Sequence, residues 1–147
     1  MEMYTDEYFM NEAMKMARIA FEEGEVPVGA VIVCRNKVIA RAYNQTEKLT
    51  DPTAHAEMLA ITAATNALGA KYLTECKLYV TLEPCVMCGG AAFWSQLGEL
   101  HFAATDPKRG YGRVEPKLLH PKTKVFTGVM ADESKQLLDD FFKNLRK

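Results

Sequence analysis

Two short stretches organise this chain: His55-Ala56-Glu57 and Pro84-Cys85-Val86-Met87-Cys88. His55, Cys85 and Cys88 offer one imidazole and two thiolates, which are ligand types that zinc prefers. Three protein ligands leave a tetrahedral zinc with one open position, and that position distinguishes a catalytic zinc from a structural one. Glu57 is not needed to hold the metal, so its carboxylate is available to move protons on an activated water molecule. The pattern predicts a catalytic zinc site in a hydrolase.

Other interpretations of the same residues are weaker. A Cys-x-x-Cys pair alone also fits a redox motif or half of a structural zinc site. A structural site would need a fourth ligand, and the only other histidines are His101 and His120. We expect His101 to pack within a strand and His120 to be exposed in a basic loop. A zinc-stabilised binding module without catalytic activity is the rival from another class, but such a module has no use for Glu57.

Helix and strand patterns extend outward from the two stretches. A helix is expected to begin at Asp51-Pro52-Thr53, with Asp51 or Thr53 as its cap, and to run to Leu68. A second helix is expected over 85–97, closed by Gly98. The remaining predicted elements are a helix over 5–21 stopped by Gly24, strands over 28–34, 38–43, 77–82, 99–104 and 124–130, and a last helix capped by Asp132. Residues 1–147 are therefore expected to form one α/β domain with a mixed sheet and helices on both faces.

The predicted helices bring the two stretches together at their N-termini. Cys85 and Cys88 are three residues apart and share a helix face, where unpaired amides and the macrodipole favour thiolates. His55 and Glu57 are about 200° apart around a helix, yet both can converge off its end because first-turn side chains lean toward the N-terminus. We expect the metal to lie between two facing helix N-termini.

Composition restricts the class of protein. The chain has 147 residues, of which 48% are hydrophobic and 25% charged, as in an ordinary globular domain. It has no apolar run long enough to span a membrane, and its acidic start does not fit a signal peptide. Four cysteines in such a chain argue against a disulfide framework and for the cytoplasm. Cys34 and Cys76 are expected to be small buried thiols.

Charge is unevenly distributed although the net charge is only −1. That total argues against a general nucleic-acid-binding protein. A local basic surface can still bind phosphates. Such a surface is predicted from Lys108, Arg109, Arg113, Lys117, Lys122 and Lys124.

A pair of glycines within the second site helix indicates a close approach. Gly89 and Gly90 each cost roughly 1 kcal/mol in a helix relative to alanine. We expect another backbone, at a subunit interface or elsewhere, to pack against them. An exposed Trp94 would suit a subunit interface.

The two stretches together resemble the cytidine and nucleobase deaminase superfamily. Segments 25–31, 51–57 and 79–88 are similar to those of bacterial tRNA adenosine deaminases, as are Asp106 with Lys108 and the ending Asp140-Phe141-Phe142. The resemblance covers nearly the full length.

This resemblance implies a cytidine deaminase-like three-layer sandwich with a five-stranded mixed sheet, a homodimer and one zinc ion per subunit. It implies conversion of the wobble adenosine of a tRNA anticodon to inosine, with Glu57 as the proton carrier. The implied substrate contacts are Asn44 at the flipped base, Ala56, Asp106 near the nucleotide backbone, Lys108, and Phe141, Phe142 and Arg146 on the C-terminal helix. One of the two phenylalanines is expected in the core. A metabolic deaminase of free guanine, cytosine or cytidine shares the zinc motif and is the alternative.

Overall fold

The computed structural model describes residues 3–145 as one mixed sheet covered on both faces by helices. Arg146, one of the expected substrate contacts, lies outside the described residues. In chain order the elements are α1 (Asp6–Glu22), β1 (Gly29–Cys34), β2 (Lys37–Tyr43), α2 (Ala56–Leu68), β3 (Cys76–Leu82), α3 (Val86–Trp94), β4 (Glu99–Ala104), α4 (Tyr111–Val114), β5 (Lys124–Thr127) and α5 (Ala131–Leu145).

The sheet has the strand order β2-β1-β3-β4-β5 and combines antiparallel and parallel pairing. Strand β1 is antiparallel to both β2 and β3, whereas β3, β4 and β5 are parallel. The β1–β2 hairpin turns at Arg35 and Asn36, which both have positive φ values of 53° and 63°. Two such residues are typical of a type I′ turn, whose twist matches that of the strands. The predicted hairpin, the parallel β3–α3–β4 unit and the five-stranded mixed sheet are confirmed.

The sheet lies between two helical layers. On one face Val31, Val33 and Tyr79 pack against α1, and on the other Ile32 and Leu78 pack in the core that α2 and α3 cover. This division follows from the strand period, because successive side chains point to opposite faces. Helix α5 contacts β4 and α1, so it belongs to the α1 layer. The three-layer α/β sandwich predicted from the resemblance is therefore confirmed.

The start of α2 differs from the prediction. Neither Asp51 nor Thr53 caps the helix, because His55 occupies the N-cap position and Ala56 is the first helical residue. The Asp51 carboxylate instead accepts hydrogen bonds from the Thr53 N–H and hydroxyl, both at 2.8 Å. The polar groups of Asp51 and Thr53 that could cap a helix therefore bond to each other in a local turn. At the other end, Gly69 stops the helix in the left-handed conformation, as predicted.

Three other boundaries also differ. Helix α3 ends at Trp94, since Gln96 adopts a positive φ of 52°, and Gly98 instead permits close approach to the Thr74 carbonyl. Strand β5 ends at Thr127 because Gly128 turns the chain at a φ of 106°. Helix α5 begins at Ala131, so Asp132 lies in its first turn and is not the cap.

The ends of α1 agree with the prediction. The side chain of Thr5 accepts a hydrogen bond from the Tyr8 N–H at the start of the helix. Gly24 follows its end with a φ of 78°. Over residues 3–145, no helix has both the length and the apolar character that a membrane crossing requires.

Candidate active site

The predicted metal ligands come together between two helix N-termini. His55 and Cys85 occupy the N-cap positions of α2 and α3, and neither side chain makes a capping hydrogen bond. Cys88 follows in the first turn of α3 and is buried. The Nδ1 atom of His55 lies 3.7 Å from Cys85 Sγ and 3.5 Å from Cys88 Sγ. Both side chains that could cap these helices therefore point instead into one shared site.

These distances fit a tetrahedral zinc ion. Bonds of about 2.05 Å to nitrogen and about 2.3 Å to sulfur at a tetrahedral angle place the two ligand atoms about 3.6 Å apart. The observed separations of 3.5 and 3.7 Å bracket that value. The three candidate ligand atoms all lie within 4.8 Å of one another, and within residues 3–145 they form the only such group. His55, Cys85 and Cys88 would hold the metal and leave a fourth position open.

The Cys85 and Cys88 thiols shift each other's pKa in opposite directions through a shared hydrogen bond. A hydrogen bond with Cys88 is the main cause that lowers the pKa of Cys85 to about 4, and His55 lowers it further. The same bond and burial raise the pKa of Cys88 above its usual range. One thiolate is thus already favoured, and a divalent cation would take the place of the remaining thiol proton.

Glu57 points toward the ligands, as the proposed chemistry requires. It lies in the first turn of α2 and is only 4% exposed. Desolvation is the main cause that raises the pKa of Glu57 to about 7, while His55 and a hydrogen bond with the Cys88 thiol oppose the shift. A carboxyl group with a pKa near neutrality can both accept and donate a proton.

The other two histidines take no part in the site. His101 is buried, hydrogen-bonds with Glu99 at 2.9 Å and stacks between the rings of Tyr79 and Phe126, so the expected packing role is confirmed. His120 is half-buried rather than exposed, because its ring lies near Phe93 and its Nδ1 accepts a hydrogen bond from the Lys122 N–H.

A buried carboxylate that the sequence analysis missed anchors the loop after β4. Glu83 accepts hydrogen bonds from the Asp106 N–H at 3.0 Å and the Gly112 N–H at 2.9 Å. A Cβ atom on Gly110 would lie 2.5 Å from a Glu83 carboxylate oxygen, so only glycine lets the loop wrap this closely. Since Glu83 is two residues before Cys85, the loop is fixed directly to the metal-ligand segment.

A second missed carboxylate anchors the loop after β2. Glu25 is 1% exposed and accepts hydrogen bonds from the backbone N–H groups of Glu47 and Lys48 at 3.0 and 2.8 Å. Asn44 stands at the start of that loop, and its own N–H is bonded to the Val28 carbonyl. Each anchor lies one or two residues before a proline, at 25–27 and 83–84, but the sequence does not show which backbone N–H groups the carboxylate meets.

The two predicted base contacts, Asn44 and Ala56, present polar groups. Asn44 is 7% exposed, and no hydrogen bond within residues 3–145 engages its side-chain amide. Ala56 is fully buried, so only its backbone could bind a ligand. Its N–H is at the first position of α2, where no intrahelical acceptor exists. Both roles stay predictions.

The loop after β4 carries the predicted phosphate-binding residues. The carboxylate of Asp106 accepts hydrogen bonds from the N–H groups of Lys108 and Arg109, each at 3.0 Å, which orders the start of the loop. The basic side chains of 108–124 are all exposed, and the ion pairs of the described chain include none of them. They are Lys108, Arg109, Lys117 and Lys122 outside regular elements, Arg113 in α4, and Lys124 at the start of β5.

The two C-terminal phenylalanines have different environments. Phe141 is 7% exposed and packs edge-on against Phe21, whereas Phe142 is 44% exposed. The expectation that one ring belongs to the core is confirmed. Phe141 is therefore corrected from a substrate contact to a core residue, and a direct contact with RNA is predicted for Phe142 alone.

The zinc-ligand geometry agrees with a sequence comparison. Residues 3–104 match the family model described as the cytidine and deoxycytidylate deaminase zinc-binding region. The chain belongs to this deaminase family. His55, Cys85 and Cys88 lie within the matched zinc-binding region, and their spacing could hold one metal ion.

Several relatives of this deaminase are similar over nearly their whole length. A tRNA-specific adenosine deaminase of Aquifex aeolicus is 46% identical over 145 residues, covering 95% of each chain. A tRNA-specific adenosine deaminase of Bacillus subtilis is 45% identical over 150 residues, covering 99% of this chain and 93% of the relative.

Solved structures share the fold at two levels of similarity. One, from work on A-to-I editing by tRNA:A34 deaminases at the wobble position of transfer RNA, is 42% identical with a TM-score of 0.83, covering 89% of this chain and 99% of that one. A guanine deaminase from Nitrosomonas europaea is 25% identical with a TM-score of 0.85, covering 96% and 86%. The fold is thus shared by deaminases of different substrates, and sequence identity favours the tRNA enzymes.

Proposed function

We propose that this deaminase hydrolyses the wobble adenosine of a tRNA anticodon to inosine, with release of ammonia. The observation that carries the proposal is full-length similarity, at 45–46% identity, to two tRNA-specific adenosine deaminases, combined with the metal-ligand geometry. The expected location in the cytoplasm, where tRNA and reduced thiols occur, belongs to the same proposal.

The protein side of the reaction centres on Glu57. A bound zinc ion would supply a Lewis acid that lowers the pKa of water to about 7. The Glu57 carboxylate accepts a proton from the water that attacks C6 of adenine and delivers it to N1. It then protonates the departing amine, so adenosine and water give inosine and ammonia. Burial suits this role, since it raises the pKa of Glu57 to about 7 and allows both transfers near neutral pH.

The surrounding groups would hold the base against Glu57. A stacked anticodon base must be flipped out before its C6 can be attacked, which costs less in a loop than in a duplex. We infer that the Asn44 amide and the Ala56 N–H bind the edge of the flipped base. The two helix N-termini place positive dipole ends beside the developing negative charge.

The exposed basic residues of 108–124 would bind the anticodon phosphates. These side chains face solvent on a loop that Glu83 fixes to the metal-ligand segment. Single-stranded loops are the usual targets of sequence-specific RNA recognition, in which bases stack on aromatic rings. Phe142, the exposed ring of the C-terminal pair, would stack on such a base.

We infer that α3 also forms a homodimer interface. Val86, Gly90 and Trp94 recur every four residues on this helix and share a face. Val86 is 40% exposed and Trp94 is 77% exposed, and a Cβ atom on Gly90 would meet nothing within 4 Å. Gly89, by contrast, accommodates Leu118 of the same chain, where a Cβ atom would lie 2.7 Å from that side chain. The close neighbours of Gly89 are thus side chains of the same chain and not the backbone that was predicted, and a second copy would cover Gly90.

The dimer is tested by measuring the molar mass in solution. We expect twice the chain mass for the native protein and the single-chain mass for Trp94→Glu. Tyr72→Glu, at another exposed aromatic residue, should leave the dimer intact. A native protein that is monomeric at micromolar concentration would contradict the interface.

The substrate is tested by comparing the tRNA proposal with the metabolic alternative in parallel assays. Zinc-loaded protein is incubated separately with an anticodon stem-loop containing a wobble adenosine, with guanine, with cytosine and with cytidine, and ammonia and inosine are measured. We expect both products from the stem-loop alone. Ammonia from a free base but not from the stem-loop would favour the metabolic alternative.

Glu57→Gln provides the matched control, because it keeps the size of the side chain. Its activity should fall by about 10²- to 10⁴-fold, the usual contribution of general acid–base catalysis, while bound zinc stays at one ion per chain. Unchanged activity would exclude Glu57 as the proton carrier.

A further inference from the structure

Two cysteines away from the metal centre face each other across neighbouring strands. Cys34 is the last residue of β1, Cys76 is the first residue of β3, and the antiparallel register pairs them directly. Directly paired residues of an antiparallel sheet have Cα atoms about 4.5 Å or about 5.5 Å apart, according to their hydrogen-bond pattern. Disulfides span Cα distances of about 4.4–6.8 Å, so either kind of pair suits a disulfide.

The two thiols also share a face of the sheet. Cys76 is 1% exposed and lies in the same core cluster as Leu78, while the partly buried Cys34 packs against that cluster. Residues directly opposite on one face are the closest side-chain pairs in an antiparallel sheet. Both cysteines are free thiols in the structure.

Access from solvent is unequal, which gives the two thiols different roles. A surface cleft of about 470 Å³ is lined by both cysteines together with Arg35, Lys37 and Glu75. Glu75 pairs with Arg35 at 3.8 Å, which leaves Lys37 as the excess positive charge. Cys34 is half-buried at this cleft and can be reached, and that charge favours an anionic reagent. Burial is the main cause that raises the pKa of Cys76 to about 12, so its reactive thiolate is scarce and Cys76 reacts second.

We propose that Cys34 and Cys76 form a reversible disulfide by exchange with a small anionic disulfide, of which oxidised glutathione is the probe. The Cys34 thiolate attacks one glutathione sulfur, forms a mixed disulfide and releases one glutathione thiolate. Cys76 then loses its proton to solvent, attacks the Cys34 sulfur as the thiolate and displaces the second glutathione as a thiolate, which takes up a proton. The two protein thiols are oxidised, and one oxidised glutathione is reduced to two thiols. This property is independent of the proposed tRNA substrate.

The position of the pair predicts what the bond would change. Cys76 begins β3, whereas the metal ligands follow the other end of that strand, roughly 20 Å away for a strand of seven residues. Zinc content and deaminase activity should therefore change less than twofold. The bond closes a loop that contains β2 and α2, and cross-linking a long loop restricts the unfolded chain. The oxidised protein should unfold at a temperature roughly 5–10 °C higher.

The experiment uses the zinc-loaded full-length protein in millimolar oxidised glutathione. Intact mass, zinc content and peptide maps under non-reducing conditions are followed over time. We expect the loss of two hydrogens, a single cross-linked peptide pair joining Cys34 to Cys76, retained zinc and the higher unfolding temperature, all reversed by dithiothreitol. The absence of reaction, or cross-links through Cys85 or Cys88 with loss of zinc, would overturn the proposal.

Two variants separate the steps. Cys34→Ser should take up no glutathione and form no cross-link. Cys76→Ser should stop at one glutathionyl group on Cys34. If Cys76→Ser does not fold, the time course of the native protein serves instead, because the mixed disulfide must appear first and then decay. A mixed disulfide that persists in the native protein would show that Cys76 cannot reach Cys34, and would refute the proposal.

Discussion

Replacing Glu83 by glutamine tests whether the order of the basic loop depends on the segment that carries the two cysteine ligands. Glu83 is 9% exposed and accepts two backbone hydrogen bonds, from Asp106 at 3.0 Å and from Gly112 at 2.9 Å. Glutamine has almost the same shape but keeps only one acceptor oxygen. Its NH₂ group must then face one of the two N–H donors.

The magnitude follows from these two bonds. A buried donor left without an acceptor costs about 1–3 kcal/mol, and a neutral acceptor weakens the surviving bond by about 1 kcal/mol compared with a carboxylate. The Glu83→Gln variant should lose about 2–4 kcal/mol of unfolding free energy. The same loss frees residues 106–112, so affinity for an anticodon stem-loop should fall while bound zinc remains at one ion per chain.

Urea unfolding followed by circular dichroism, and stem-loop binding by fluorescence anisotropy, measure the two effects. Glu75→Gln is the matched control, since the Glu75 side chain is 73% exposed and its ion pair with Arg35 spans 3.8 Å. Exposed pairs of this kind contribute about 0–1 kcal/mol. If Glu83→Gln changes stability no more than Glu75→Gln does, or binds the stem-loop as tightly as the native protein, the anchoring role assigned to Glu83 is wrong.

Three further predictions concern the aromatic pair, the basic loop and the metal. Phe141→Ala should lose about 3 kcal/mol of unfolding free energy, because it leaves a cavity beside Phe21. Phe142→Ala should lose less than about 1 kcal/mol and should instead raise KM for the stem-loop. Equal stability losses in a urea titration would contradict this difference. Removing the exposed charges of Lys108 and Arg113 together should reduce the slope of log affinity against log salt by roughly 1.4. Anisotropy titrations at several salt concentrations measure this slope. An unchanged slope would exclude both residues as phosphate contacts. Removing zinc with a chelator should lower the unfolding temperature measured by calorimetry. The reason is that a ligand present at about 1,000 times its Kd stabilises the folded state by about 4 kcal/mol. An unaltered temperature would mean that His55, Cys85 and Cys88 do not hold the ion.

The metal centre could be predicted from sequence because its chemistry depends on residue types at fixed short spacings. Cys85 and Cys88 had to lie in one helical turn, and the apolar run of β3 fixed where that turn begins. His55 could be assigned to the same site because its imidazole completes the donor set. The convergence of Glu57 followed from the direction of first-turn side chains.

The boundaries of the helices were less predictable because local polar groups compete for the same backbone. Asp51 and Thr53 have the composition of helix caps, but the carboxylate of Asp51 satisfies Thr53 before any helix begins. Gln96 ends α3 early by taking a left-handed conformation that its residue type does not announce. Helix propensity of the individual residues therefore does not fix where these helices begin and end.

The two anchoring carboxylates were missed for a different reason. Glu25 and Glu83 resemble ordinary charged residues in a single sequence, and their partners are backbone N–H groups 22 to 29 residues away. Main-chain donors have no residue-specific signal. Only the three-dimensional path of the loops reveals that each carboxylate is surrounded by amides.

The attachment of the loop after β4 to Glu83 has a consequence for how substrate preference could diverge. The proton-carrying and metal-holding side chains belong to two packed helix ends, whereas the exposed lysines and arginines are carried on a separate segment that backbone hydrogen bonds hold against them. Exchanging the outward-facing side chains of that segment would redirect the enzyme toward another nucleobase-containing molecule without disturbing the chemistry. A guanine deaminase that keeps this fold at 25% identity is consistent with such independence.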